Sequence, residues 1–93
     1  MKRARVNSER LLALLKRYLL TAAPSGRERP MAEAVAEKAA SLGFRVYEDG
    51  AGSALGTGCG NLICSLSSGK GGAPLILNAH LDTVDISRPP VLR

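Results

Sequence analysis

The strongest constraint in this sequence is a change of apolar period at Gly43. Before it, Leu11, Leu12, Leu14, Leu15, Tyr18 and Leu19 recur at helical spacing, with Arg10, Lys16 and Arg17 largely on the other face. Such a stripe is expected to pack against a core. A second helical stripe holds Met31, Val35, Ala39 and Leu42, lined by Ala34 and Ala36, with Glu33 and Glu37 on its solvent side. After Gly43 the period becomes two. Phe44-Arg45-Val46-Tyr47-Glu48 alternates as a strand with one face covered, and Asn61 to Leu66 reads as a second strand. The most apolar run, Leu75-Ile76-Leu77-Asn78-Ala79, follows the break at Gly71-Gly72-Ala73-Pro74 and predicts a short buried third strand. The order helix, helix, strand, strand, strand predicts an α/β chain. Two N-terminal amphipathic helices would pack on a small mixed sheet of about three strands.

Local signals set the boundaries. Asn7 or Ser8 can cap the first helix, which should stop near Thr21, ahead of Pro24. Ser25-Gly26-Arg27-Glu28 has the spacing of a capping box, but Pro30 belongs in a first helical turn and moves the start one or two residues later. Gly43 is placed to end the second helix in the left-handed conformation. Asp49 to Gly58 is rich in Gly, Ala and Ser and predicts a loop. No Gly-Lys-Ser/Thr follows it, which excludes a phosphate-binding loop. Ser67 to Pro74 is expected to join the second and third strands as a hairpin. Residues 1–7 and 85–93 read as mobile ends.

Composition narrows the function classes. The formal charge is +5, but the 13 Lys and Arg residues are spread along the chain, apart from Lys2, Arg3 and Arg5. A nucleic-acid binder concentrates its charge in a patch with stacking groups, and only Tyr18, Phe44 and Tyr47 are aromatic here. No apolar run is long enough to span a bilayer, and no secretory signal is visible, so no membrane partner is expected and the cytoplasm is the expected compartment. Cys59 and Cys64 match no common zinc-pair spacing. On one strand they would lie on opposite faces, so two reduced thiols are expected.

Chemistry concentrates at the end of the third predicted strand. His80 is the only histidine, and Asp82 follows two residues on. In an extended chain the two side chains share a face. A neutral imidazole can bind zinc through one nitrogen while a carboxylate holds the other N–H and fixes the tautomer. A lone His-x-Asp also arises by chance and can simply form a hydrogen bond at a strand end.

In context, Ala79-His80-Leu81-Asp82-Thr83-Val84 after an apolar strand resembles the first metal-ligand motif of a family of co-catalytic zinc peptidases. That family includes tripeptide aminopeptidase (peptidase T), carboxypeptidase G, acetylornithine deacetylase and succinyl-diaminopimelate desuccinylase. Pro24-Ser25-Gly26-Arg27-Glu28 is similar to the family's turn before its second helix, and Gly60-Asn61-Leu62-Ile63 to its second strand. The ending Asp85-Ile86-Ser87-Arg88-Pro89-Pro90-Val91-Leu92 is most similar to the peptidase T branch. The resemblance covers roughly residues 8 to 92.

The resemblance implies that residues 1–93 are the N-terminal part of a catalytic domain, the first portion of a three-layer sandwich of helices about a mixed sheet. It implies a hydrolase acting on short peptides or N-acyl amino acids with two zinc ions. His80 would be a metal ligand, Asp82 would orient it, and Ser25 to Glu28 would serve the fold without touching metal. A bridging Asp, a Glu-Glu pair with the general base, a further acidic ligand and a distant His come from later in such chains. Glu48, Asp49 and Asp85 do not match those positions. This chain alone is therefore expected to hold at most one weak zinc site and to hydrolyse nothing. The alternative from another class is a stand-alone structural module that self-associates through an exposed sheet edge. A third, a small basic nucleic-acid binder, predicts steeply salt-dependent affinity.

Overall fold

A computed structural model describes residues 5–84. These form an α/β chain with three helices and one two-stranded antiparallel sheet. No helix among them is long and apolar enough to cross a membrane.

Helix α1 runs Ser8–Leu19. Asn7 caps it, its Oδ1 accepting the Arg10 N–H at 3.1 Å. Helix α2 runs Arg29–Ser41, with Pro30 in its first turn. Ser25 does not cap it. The capping position falls to Glu28, which makes no side-chain cap bond. The C-terminal end of α2 is a Schellman motif: Phe44 N–H reaches Ala39 O at 3.0 Å and Gly43 N–H reaches Ala40 O at 3.0 Å. Gly43 takes φ +92 there, which only glycine adopts without strain.

Strands β1, Arg45–Glu48, and β2, Leu62–Ser65, pair antiparallel with Val46 opposite Cys64 and Tyr47 opposite Ile63. Val46, Glu48, Leu62 and Cys64 turn toward α2 and are half-buried, whereas Tyr47 and Ile63 are exposed. Both cysteines are free thiols. The connection between the strands is not simply a loop. It contains a short helix α3, Ala51–Leu55, because the Asp49 carboxylate accepts the Ala51 N–H at 3.1 Å and starts a turn there.

Two expectations about burial need correction. The α1 leucine stripe has helical spacing but buries no residue; Leu11, Leu12, Leu15 and Leu19 are all exposed. Helix α2 packs on one face of the sheet, and α1 makes no comparable contact with either strand. The core is small: Ala23, Met31, Ala32 and Ala34 are buried, and so is Gly52 against the Cys59–Gly60 backbone. Leu42, at the end of the expected α2 stripe, is exposed.

The expected third strand is also absent. Leu75, Ile76 and Leu77 are 85%, 81% and 86% exposed and pair with nothing among the described residues. A strand needs a ladder partner laid alongside it. Gly69, Gly71 and Gly72 all have positive φ and turn the chain after β2 without folding it back as a hairpin. The sheet is therefore antiparallel and two-stranded, where a mixed sheet of about three strands was expected. We predict that Ile76→Ser changes the stability of this chain by no more than about 0.5 kcal/mol, against about 2 kcal/mol or more for a core position. Urea unfolding of the two chains checks it; a large loss places Ile76 in a core.

The expected mobile ends lie outside the described residues, apart from Arg5 to Asn7.

Candidate functional site

The segment 80–83 docks on the turn between α1 and α2. Thr83 N–H donates to Ala23 O at 2.7 Å, and Pro24 and Thr83 form an isolated parallel bridge. Ala23 is wholly buried, so the docking point lies at the small core. The turn itself is closed by Arg27 N–H to Pro24 O at 2.8 Å and tied to the α3–β2 connection by Gly58 N–H to Gly26 O at 2.8 Å. The Gly26 N–H donates to the Glu28 carboxylate.

This docking brings His80 and Asp82 together without a strand. His80 Nδ1 lies 3.2 Å from Asp82 Oδ1 and 2.8 Å from the Asp82 backbone carbonyl. Both oxygens only accept hydrogen bonds when Asp82 is ionised, so Nδ1 of the neutral ring carries the proton. The lone pair then sits on Nε2, and the His80 side chain is 84% exposed. Asp82 Oδ2 accepts the Ser25 hydroxyl at 2.5 Å. That bond, and then the nearby His80, hold the Asp82 carboxyl below its usual range despite partial desolvation.

These residues fit one zinc ligand and the carboxylate that orients it. They do not fit a complete site: no three His, Cys, Asp or Glu side chains converge on one point among the described residues.

A second polar cluster pins the N-terminal end of α2 to the hairpin. Arg29 makes a forked pair with Glu48, at 2.6 Å to Oε1 and 2.7 Å to Oε2, and its Nε donates to Gly58 O at 3.1 Å. Glu48 Oε2 also accepts the Gly60 N–H at 3.1 Å. Asp49 accepts from the Asn61 backbone at 2.8 Å and the Asn61 amide at 3.0 Å. Beside it, Cys59 Sγ lies 3.7 Å from Glu28 Oε2; burial first, then the Glu28 charge, push this thiol up. The sequence assigned no role to Arg29 or Glu48, which stand 19 residues apart. The cluster is a structural clasp, since all its carboxylate oxygens face donors already in place.

The clasp predicts an acid response. The Arg29 bond holds Glu48 below its ordinary 4.5, and the Asn61 bonds hold Asp49 below its ordinary 3.8. A carboxylate depressed by folding stabilises the fold fully above its ordinary value and loses that contribution as pH falls through the folded one. The urea midpoint should therefore fall between about pH 6 and about pH 3. Glu48→Gln should lower the midpoint at the higher pH and flatten its dependence. A midpoint indifferent to pH in this range contradicts the clasp.

No protein-family profile, curated protein or solved structure matches this chain.

Proposed function

We propose that this chain is the N-terminal portion of a zinc-dependent, tripeptidase-like aminopeptidase that hydrolyses short peptides or N-acyl amino acids in the cytoplasm. The observation that carries the proposal is the His80–Asp82 pair. One ring nitrogen is held by acceptors, the other has no hydrogen-bond partner among the described residues, and the side chain is 84% exposed, which suits a zinc ligand. The sequence pattern around the pair, from Pro24 to Thr83, supports the family. When bound, zinc supplies Lewis-acid polarisation of a scissile carbonyl. On this chain's side, His80 would hold the ion through Nε2 and Asp82 would keep the imidazole in the right tautomer and orientation. The remaining ligands and the general base would come from outside the described residues.

The test is made on the native species, captured from its source with an antibody to residues 8–84. The proposal expects a mass several times the 9.7 kDa of this chain, bound zinc, and tripeptide hydrolysis that a chelator abolishes. A 9.7 kDa species without zinc or hydrolysis overturns it.

One observation favours a second function. Leu75 to Leu77 are exposed, and both edges of the two-stranded sheet are unpaired among the described residues. A second copy of this chain could pair there as a self-associating module. Sedimentation of the 93-residue chain separates the two: zinc-independent dimers favour the module, and monomers argue against it.

A further inference from the structure

We propose that Ser25 is a positioning residue for His80 and acts through Asp82. The functional meaning rests on His80 as a zinc ligand; the positioning itself rests on geometry alone. The two oxygens of the Asp82 carboxylate are divided between two partners. Oδ2 takes the Ser25 hydroxyl at 2.5 Å, and Oδ1 faces His80 Nδ1 at 3.2 Å. The hydroxyl therefore selects the carboxylate rotamer that presents Oδ1 to the ring.

Ser25 can do this because its own backbone is immobilised. It sits in the turn closed by Arg27 and Pro24, next to the buried Ala23, whose carbonyl holds Thr83 on the far side of Asp82. The serine and the Asp82–Thr83 backbone thus form a two-point clamp across 57 residues of sequence.

The order of contacts excludes another role. Ser25 touches Asp82, and His80 touches Asp82, with the carboxylate between them. In a Ser-His-Asp triad the serine touches the imidazole, which is its base. Ser25 donates its proton to a carboxylate instead, so it orients and does not attack.

Without the Ser25 hydroxyl, Asp82 loses the bond that fixes its rotamer, and Nδ1 keeps only the backbone carbonyl. The neutral ring then shifts toward the tautomer with its proton on Nε2, the nitrogen that would bind metal.

His80 is the only histidine, so imidazole nitrogen spectra of the ¹⁵N-labelled full chain report it alone. They are read at a pH about two units above the ordinary imidazole value. The wild-type chain should show mainly the Nδ1–H tautomer. Ser25→Ala should shift the tautomer ratio by about threefold or more toward Nε2–H, the scale of one lost hydrogen bond. The isosteric pair Ser25→Thr and Ser25→Val differs only in the hydroxyl. Thr should keep the wild-type ratio and Val should lose it, even if both loosen the turn. An unchanged ratio in Ser25→Ala, or equal ratios in the Thr and Val chains, overturns the proposal. This readout needs neither zinc nor substrate. A ratio that responds in a protein without zinc-dependent hydrolysis leaves the clamp standing and sinks only the peptidase function.

Discussion

Replacing Gly60 by alanine should dismantle the hairpin of this chain. Gly60 lies where the strand connection passes against Asp49. A Cβ built there stands 2.7 Å from Asp49 Oδ1, 3.0 Å from the Asp49 carbonyl carbon, and closer still to its oxygen. These are mainly backbone atoms, and they cannot step aside like the end of a flexible side chain. Asp49 is held as well, because its amide donates to Asn61 O at 3.0 Å and its carboxylate accepts from Ala51 and Asn61. Moving Gly60 away instead breaks its N–H bond to Glu48 and disturbs the forked Arg29 pair. Either route should cost about 3 kcal/mol, the upper end for overpacking. For a domain of this size that is a fall of about 12 °C or more in Tm. A small core leaves little stability to absorb it. Gly50→Ala is the matched control, with φ −84 and nothing within 4 Å of its new methyl group. It should change stability by less than about 0.5 kcal/mol. Thermal unfolding followed by circular dichroism compares the two. Equal melting temperatures for Gly60→Ala and the wild type would show that the close approach is not real.

On the proposed function, changing His80 to alanine should remove zinc-dependent hydrolysis from the native species while leaving the fold intact. The ring is 84% exposed and its polar contacts among the described residues are to Asp82, so its loss should alter stability by less than about 0.5 kcal/mol. Its loss as a ligand is far larger. Partners that merely orient a ligand contribute about 10–100-fold to metal affinity or activity. Removal of the ligand itself should therefore lower activity by more than about a hundredfold, with zinc content falling in parallel. Asp82→Ala should fall in the 10–100-fold range, since His80 Nδ1 keeps the Asp82 backbone carbonyl at 2.8 Å after the carboxylate is gone. Zinc measured by mass spectrometry and initial rates on a tripeptide give both readings. A His80→Ala protein with wild-type zinc and wild-type rate excludes His80 as a ligand.

The ranking of these two substitutions separates fold from function. Gly60 should act on stability without regard to zinc. His80 should act on zinc without regard to stability. The docked segment 80–83 belongs to the turn at Ala23 and Pro24 and makes no bond to the hairpin cluster.

Much of the local structure was legible in the sequence because it depends on neighbours within about four residues. Asn7 caps α1 through Arg10, and Gly43 ends α2 through contacts reaching back only to Ala39. The strands at Arg45–Glu48 and Leu62–Ser65 follow their own alternation. His80 and Asp82 meet because they stand only two positions apart, and they do so without the strand that was expected to bring them together. Helix α3 escaped notice because glycine-rich composition masked the Asp49 side chain that starts it.

Tertiary structure decided what composition and period leave open. Helical spacing makes the α1 leucines a stripe, but burial needs an opposing surface, and among the described residues it is α2 and not α1 that packs on the sheet. An apolar run such as Leu75–Ala79 has the propensity for a strand, but a ladder needs a second chain segment beside it. Ser25 carries the spacing of a helix cap, yet its hydroxyl serves Asp82, 57 residues away. Arg29 reaches Glu48 over 19 residues in the same way. The sequence by itself determined helices α1 and α2, the cap at Asn7, the stop at Gly43 and the His80–Asp82 spacing, since local hydrogen bonds need only near neighbours. The fold alone decided which apolar faces are covered and which hydroxyl holds the carboxylate, since both depend on the path of the chain through space.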